Sequence, residues 1–210
     1  MSGLGLLNTY LEQCPLIGII RGVTPDEVEA VGQAIFDAGI RIIEIPLNSP
    51  DPLKSIERLS ARLGDRALIG AGTVLMAEEV PNVRAAGGAI IVSPSTNAEV
   101  IAATVAEGLV SCPGFFTPSE AFAAIAAGAT ALKLFPAEGA SPAMLKALLA
   151  VIPRSVPVLA VGGIKPDNMR AWLDVGAAGF GLGGGLYQAG QSADETAQKA
   201  RAYVAGLSRR

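Results

Sequence analysis

The amino-acid sequence predicts an α/β fold, a (β/α)8 TIM barrel preceded by an N-terminal helix. From Pro15 onward, a short apolar strand followed by a loop and an amphipathic helix recurs along the chain. Eight such units are present when the first strand, residues 16–20, is counted. Strict alternation of strands and helices predicts a parallel sheet, and eight units predict closure into a barrel. The alternative, an open flavodoxin-like sheet, would leave about three units unexplained.

The predicted elements follow in order along the chain. Residues 3–13 carry apolar side chains at helical spacing and predict the leading helix. The stretch from Thr24 to Glu27 has the pattern of a capping box with Pro25 at the first helical position, and it predicts the start of the next helix. After the first strand, the remaining strands are predicted at residues 42–45, 67–69, 89–92, 109–112, 131–135, 158–161 and 178–182.

Length and composition limit the class of protein. With 210 residues, half of them hydrophobic, the chain predicts a single barrel domain over residues 1–210. A net charge of −3 and scattered basic residues argue against a nucleic-acid surface. No apolar run has the length of a membrane helix and the N-terminus lacks signal-peptide character, so we expect a cytoplasmic protein without membrane contact. Cys14 and Cys112 are expected to be buried, reduced thiols.

The chain contains no histidine. This absence excludes Ser-His-Asp and Cys-His nucleophile systems, HExxH zinc sites and any imidazole acid or base. Any chemistry must therefore use carboxylates, lysine, hydroxyl groups, the backbone or a cofactor.

Lys133 is a lone ammonium inside the apolar strand predicted at residues 131–135. Alternation of side chains places it on one face of that strand, beside Ala131 and Phe135. Burial among such neighbours disfavours the charged form and lowers the pKa of a lysine, which leaves free amine to attack a ketone and form a Schiff base. The alternative is an edge-strand lysine that extends to water.

Glu44 lies between Ile43 and Ile45 in a predicted strand, so alternation directs its carboxylate into the barrel. A buried carboxylate is unfavourable unless it is paired or used. Two interpretations remain open. Glu44 forms a structural ion pair with Arg21 or Lys133, or it is a general base whose pKa is set by partial burial.

Two glycine runs follow the last two predicted strands, Gly162-Gly163 and Gly183-Gly184-Gly185. In barrels of this type the active site lies at the carboxyl ends of the strands, and these two loops commonly bind phosphate through backbone amides. The alternative is plain turn chemistry. Arg21, at the end of the first strand, is a candidate to bind a carboxylate or a phosphate. Thr73 can donate its hydroxyl to a substrate carboxylate or form a turn hydrogen bond.

Five ordered motifs span most of the chain: Ile19-Ile-Arg-Gly22, Ile43-Glu-Ile-Pro46, Gly70-Ala-Gly-Thr-Val-Leu75, Lys133-Leu-Phe-Pro-Ala137 and Val161-Gly-Gly-Ile164. Together they resemble the class I aldolases that cleave 2-keto-3-deoxy-6-phospho sugar acids. The resemblance covers essentially the whole length of the chain.

This resemblance implies an activity and a role for each candidate residue. Lys133 would attack the C2 ketone, and Glu44 would move protons during cleavage of the C3–C4 bond to pyruvate and D-glyceraldehyde 3-phosphate. Arg21 and Thr73 would bind the substrate carboxylate. Neither a metal nor an organic cofactor would be needed, and the subunits would form a homotrimer. The phosphate would be held by the amides of Gly162, Gly163, Gly183 and Gly184.

Asn48 and Val161 predict which C4 epimer is the substrate. Family members acting on the gluconate epimer typically carry arginine and threonine at these two positions, whereas the galactonate branch resembles what stands here. The Gly183–Gly185 run departs from a serine common in relatives, which removes one side-chain phosphate contact. The alternatives are an aldolase for the gluconate epimer or for 4-hydroxy-2-oxoglutarate, and a non-catalytic barrel that binds a phosphorylated metabolite.

Overall fold

The computed structural model describes residues 2–208 as one parallel β-sheet that curves into a barrel, with helices between the strands. The strands are β1 (Leu16–Ile19), β2 (Ile42–Pro46), β3 (Leu68–Gly72), β4 (Ile90–Val92), β5 (Val110–Cys112), β6 (Gly114–Phe115), β7 (Leu132–Leu134), β8 (Val158–Val161) and β9 (Gly179–Leu182). The helices are α1 (Gly3–Gln13), α2 (Val28–Asp37), α3 (Pro52–Leu63), α4 (Glu79–Ala85), α5 (Ala98–Ala106), α6 (Pro118–Ala126), α7 (Pro142–Leu149), α8 (Met169–Leu173) and α9 (Ala193–Leu207). Short 3-10 helices span Gly64–Arg66 and Ala137–Gly139.

The barrel closes after the fifth predicted strand, residues 109–112, where the chain continues past Pro113 into a second short strand, β6. The hydrogen-bonded order runs β5-β4-β3-β2-β1-β9-β8-β7-β6, so its two ends, β5 and β6, are separated in the chain only by Pro113. Proline has no amide hydrogen to donate, which interrupts the strand there. The amide of Lys133 still donates to the Pro113 carbonyl at 2.8 Å, and that of Ala131 donates to Ser111 at 3.1 Å. The predicted (β/α)8 barrel with its leading helix is therefore confirmed.

Strand β3 is longer than its sequence predicted. The prediction ended at residue 69, but pairing with β2 continues through Gly70 to Gly72. A side chain at Gly72 would place its Cβ 1.4 Å from Oε2 of Glu44, and one at Gly70 would lie 1.9 Å from the Ile90 carbonyl oxygen. These glycines are part of the strand because the barrel interior has no room for a side chain there.

The predicted start of α2 at Thr24 is wrong by one turn. The regular helix begins at Val28, and Thr24 to Glu27 form the turn before it. Half of the predicted capping box is present, because the Glu27 carboxylate accepts hydrogen bonds from the Thr24 amide at 3.1 Å and its hydroxyl at 2.7 Å. At α6 the full box forms between Thr117 and Glu120.

Helix α1 covers the amino end of the barrel. Its buried side chains Leu7, Tyr10 and Leu11 form one apolar cluster with residues inside the barrel, including Ile17 and Ile42 near the amino ends of their strands. The opposite, carboxyl end is left for loops and ligands, as expected for this architecture. Within residues 2–208, none of the helices combines the length and the apolar character needed to cross a membrane.

Candidate active site

Lys133 lies on β7 and faces the barrel interior, with 6% of its surface exposed. Strand β7 pairs with β6 on one side and β8 on the other, so the edge-strand interpretation does not apply. Burial lowers the pKa of Lys133, and the neighbouring Glu44 carboxylate partly opposes that shift. The Nζ atom lies 4.7 Å from the centroid of the Phe135 ring. Lys133 is therefore a desolvated amine at the base of the barrel mouth.

Glu44 lies on β2 with 1% of its surface exposed. Burial raises the pKa of Glu44 to about 7, opposed by the positive charges of Lys133 and then Arg21. Its Oε2 atom has no hydrogen-bond partner, and none of the ion pairs shorter than 4.0 Å within residues 2–208 joins it to either cation. The carboxylate is thus held near both cations without forming the direct ion pair that the sequence left open.

A buried thiol lies near these two groups. Cys112 is buried on β5, within electrostatic range of Lys133 and Glu44. Burial raises the pKa of Cys112 to about 12, so this thiol stays protonated. Both cysteines are buried and free, as predicted. Within residues 2–208, His, Cys, Asp and Glu side chains form no group of three arranged to hold a metal ion.

A cavity of about 670 Å³ opens at the carboxyl ends of the strands, beside Lys133. This volume lies within the range of small-molecule sites. Glu44 and Asn48 do not line it. Asn48 accepts a hydrogen bond from Arg21, which does line it, and Glu44 lies within electrostatic range of Lys133 and Arg21, which both line it. The predicted residues that line it are Arg21, Thr73, Lys133, Val161, Gly162, Gly163, Gly183 and Gly184.

Arg21 is oriented by two side chains from neighbouring loops. Its Nη1 and Nη2 atoms each donate to the Thr73 hydroxyl oxygen at 3.2 Å, and Nη1 also donates to Oδ1 of Asn48. Thr73 has a φ of 56°, in the left-handed region where a β-branched residue is strained by about 1–3 kcal/mol. This backbone conformation places the Thr73 hydroxyl on the cavity wall, next to the Arg21 guanidinium. Asn48 therefore orients the Arg21 side chain and does not itself line the cavity.

The two glycine loops form another part of the cavity wall, after β8 and β9. Gly162 and Gly163 have φ values of 109° and 66°, which other residues adopt only with strain. Within residues 2–208, no protein atom accepts a hydrogen bond from the amides of Gly162, Gly163, Gly183 or Gly184. A set of unpaired amides on one wall of a cavity is suited to bind an anion.

Several cavity residues were missed by the sequence interpretation. Lys165 lines the cavity, is exposed and forms no ion pair within the described residues. In the sequence, only its position directly after the motif Val161-Gly-Gly-Ile164 indicated that it could belong to the site. The Glu138 carboxylate lies close to the glycine pair, 3.1 Å from where a Cβ of Gly163 would be. Tyr187 and Tyr203 also line the cavity. Tyr203 comes from the last helix, and no local pattern connects it to the site.

Comparison with known proteins agrees with these features. The family model for KDPG and KHG aldolases matches residues 7–201. The chain belongs to this family. The resemblance derived from the five motifs is thereby confirmed, and family membership makes the chain a carbon–carbon lyase of the aldolase type.

Relatives of this aldolase family cover nearly the whole chain. A curated 2-dehydro-3-deoxy-6-phosphogalactonate aldolase of Escherichia coli (strain K12) is 50% identical over 190 residues, which is 90% of this chain and 93% of the relative. The solved "Native KDPGal structure" has a TM-score of 0.91 at 49% identity and covers 93% of this chain and 95% of its own. A KDPG aldolase from Legionella pneumophila, solved with pyruvate captured as a covalent carbinolamine intermediate, has a TM-score of 0.80 at 26% identity, covering 98% and 96%.

Proposed function

We propose that the chain is a class I aldolase that cleaves 2-dehydro-3-deoxy-6-phospho-D-galactonate to pyruvate and D-glyceraldehyde 3-phosphate. The observation that carries this proposal is the buried, unpaired Lys133 beside a carboxyl group whose pKa is raised to about 7. Perturbed pKa values of this kind cluster at catalytic sites. The galactonate relative at 50% identity supports the substrate, and the captured pyruvate adduct of the Legionella relative supports the chemistry.

Lys133 supplies the nucleophile. Its neutral amine attacks the C2 ketone to give a carbinolamine, which loses water and leaves a protonated imine. The C4 hydroxyl then loses its proton, the C3–C4 bond breaks, and the bonding electrons move into the enamine as the aldehyde leaves. Protonation of the enamine at C3 and addition of water release pyruvate and restore the Lys133 amine. Its lowered pKa makes the neutral amine available for the first step.

Glu44 transfers the protons. A group with a pKa of about 7 accepts and donates protons with little penalty near neutral pH. Its Oε2 atom carries no competing hydrogen bond, and its distance from Lys133 exceeds that of an ion pair. We infer that Glu44 acts through a water molecule on the amine, on the C4 hydroxyl and on C3.

The two ends of the substrate are held by different groups on the cavity wall. The guanidinium of Arg21 and the hydroxyl of Thr73 bind the C1 carboxylate, and Asn48 orients Arg21. Lys165 adds a positive charge beside the phosphate, where the last loop offers only glycine. The phosphate accepts hydrogen bonds from the amides of Gly162, Gly163, Gly183 and Gly184.

Val161 supports the galactonate epimer. It lies at the carboxyl end of β8 on the cavity wall, one residue before the glycine pair. An apolar side chain there offers no hydrogen bond to a C4 hydroxyl directed toward it. We infer that this disfavours the gluconate epimer.

We also propose a cytoplasmic homotrimer. Exposed apolar side chains follow the carboxyl ends of β2, β3 and β6, where an oligomer interface would cover them: Leu53, Leu75, Met76 and Phe122. Sedimentation equilibrium should give three times the 21.3 kDa chain mass, and cell fractionation should recover the protein with cytoplasmic markers. A monomeric mass would contradict the assembly.

A trapping experiment tests the function directly. Borohydride reduction in the presence of isotope-labelled pyruvate should attach the label to Lys133, as read by peptide mapping, and each C4 epimer should lower the amount of labelled adduct according to its affinity. The kcat/KM of the galactonate epimer should exceed that of the gluconate epimer and of 4-hydroxy-2-oxoglutarate. No adduct on Lys133 would favour a non-catalytic metabolite-binding barrel. A preference for the gluconate epimer would contradict the roles of Val161 and Asn48 alone.

A further inference from the structure

The hydroxyl of Tyr203 lies between the two glycine loops. Tyr203 belongs to α9, has 3% of its surface exposed, and donates a hydrogen bond to the Ile164 carbonyl oxygen at 2.9 Å. A Cβ at Gly185 would lie 2.3 Å from the same hydroxyl oxygen. One side-chain atom therefore contacts the loop after β8 and occupies the space that a side chain on the loop after β9 would need.

Each glycine loop is held separately by its own contacts. Asn168 donates to the Gly163 carbonyl and accepts from the Lys165 amide, both at 2.9 Å. In the other loop, the amides of Leu186 and Tyr187 donate to the Gly183 carbonyl at 2.8 and 3.1 Å.

Tyr203 connects these two loops. Within residues 2–208, no hydrogen bond joins residues 162–166 directly to residues 183–188. Helix α9 is itself fixed against the first loop, because a Cβ at Gly206 would lie 2.6 Å from the Pro166 carbonyl oxygen. The pairing of β8 with β9, which extends to Val161 and Gly181, fixes the bases of the two loops. Beyond that pairing, Tyr203 is the side chain whose hydroxyl touches the first loop and fills the space beside the second.

We propose that Tyr203 is a positioning residue that sets the spacing of the two glycine loops for a phosphate group, an inference that rests on the proposed function. Amides from both loops must reach one phosphate, and supporting contacts that hold such groups in place determine affinity. Within residues 2–208, the Tyr203 hydroxyl donates its hydrogen bond to the loop after β8 and not to Lys133 or Glu44. It therefore acts on phosphate binding and leaves the chemistry at Lys133 unchanged. Burial raises the pKa of Tyr203, which keeps the hydroxyl protonated and able to donate.

The test compares Tyr203→Phe with Tyr10→Phe. Tyr10 is a matched control, since it is also buried and donates to a backbone carbonyl, that of Asp65 at 2.6 Å, but at the opposite end of the barrel. Kinetic constants are measured for the phosphorylated substrate and for the same sugar acid without phosphate. Loss of one hydrogen bond predicts that Tyr203→Phe raises KM about five-fold for the phosphorylated substrate. Its kcat, its KM for the other substrate, and both constants in Tyr10→Phe should stay unchanged.

The outcomes separate this inference from the function on which it rests. A Tyr203→Phe protein that behaves like Tyr10→Phe, or whose KM rises equally for both substrates, overturns the positioning role. A wild-type protein that treats the two substrates alike contradicts the proposed phosphate site itself.

Gly185→Ala gives a second measure that does not depend on the stability of Tyr203→Phe. The added methyl would meet the Tyr203 hydroxyl at 2.3 Å, so we expect a higher KM for the phosphorylated substrate only. Without the hydroxyl, the nearest remaining atom is Cζ at 3.5 Å, an ordinary contact. The double variant should therefore show a smaller KM increase than the product of the two single effects. An unchanged KM in Gly185→Ala, or multiplicative effects in the double variant, would refute the coupling.

Discussion

The two ends of the cavity are built in opposite ways. At the reacting end, Lys133 and Glu44 project from the middle of the barrel, and each lies on a strand that is paired on both sides. At the proposed phosphate end, the candidate binding groups are backbone amides on two exposed glycine loops. Burial is the main cause of the shifted pKa values of Lys133 and Glu44, whereas a phosphate requires several donors that remain open to solvent.

This difference has an energetic side. Burial of Glu44 disfavours its charge, and the same burial gives the carboxyl group its pKa of about 7. The glycine loops carry no such electrostatic penalty, but glycine loses more backbone entropy on folding than other residues. The reacting end is therefore sensitive to pH, and the phosphate end is sensitive to loop geometry and salt.

Lys133→Met should separate the two ends most clearly. We expect kcat to fall by about 10⁵-fold or more, because the nucleophile is lost. The melting temperature should stay the same or rise, since the variant replaces a buried, unpaired cation with an apolar side chain. Binding of D-glyceraldehyde 3-phosphate, measured by calorimetry, should be retained.

The same variant tests the coupling to Glu44. The Lys133 charge opposes the rise in the pKa of Glu44, so its removal should move that pKa further upward. Carboxyl titration by NMR measures this shift. Retained turnover would end the Schiff-base mechanism, and lost phosphate binding would show that the two ends are not independent.

Glu44→Gln should lower kcat by about 10²–10⁴-fold, the usual contribution of a general acid–base group. It should also change how stability depends on pH. The native carboxyl keeps its proton up to about pH 7, whereas the unfolded one loses it near 4.5. Between these values the native state binds more protons, so the free energy of unfolding falls as pH rises, by about 3 kcal/mol in total.

Urea unfolding of the wild type and Glu44→Gln on either side of this window measures the effect. The wild type should lose stability as pH rises through the window, and the variant should lose much less. Equal pH dependence in the two proteins would mean that the Glu44 carboxyl has an ordinary pKa and is not tuned for proton transfer.

The two ends also differ in how far the sequence predicts them. The burial of Lys133 and Glu44 was predicted because strand alternation alone places a side chain inside or outside a barrel. The space for the Glu44 carboxylate was not foreseen, because it depends on Gly72 of the neighbouring strand, which the sequence pattern assigned to a loop. The place of the glycine loops on the cavity wall was predicted from their position after the last strands. Tyr203 and Glu138 reach them from other segments, so only the folded chain brings them together.

The smallest predicted effects are charge effects at the phosphate end. Lys165→Met should raise KM for the phosphorylated substrate, and Glu138→Gln should lower it, because the first removes a positive charge and the second a negative charge from the same wall. Both side chains are exposed, so each change should be only about two- to five-fold and should shrink between about 10 mM and about 0.5 M salt. KM for the sugar acid without phosphate is the control and should not move. Shifts of the same sign in both variants would show that loop packing, rather than charge, governs this end of the cavity.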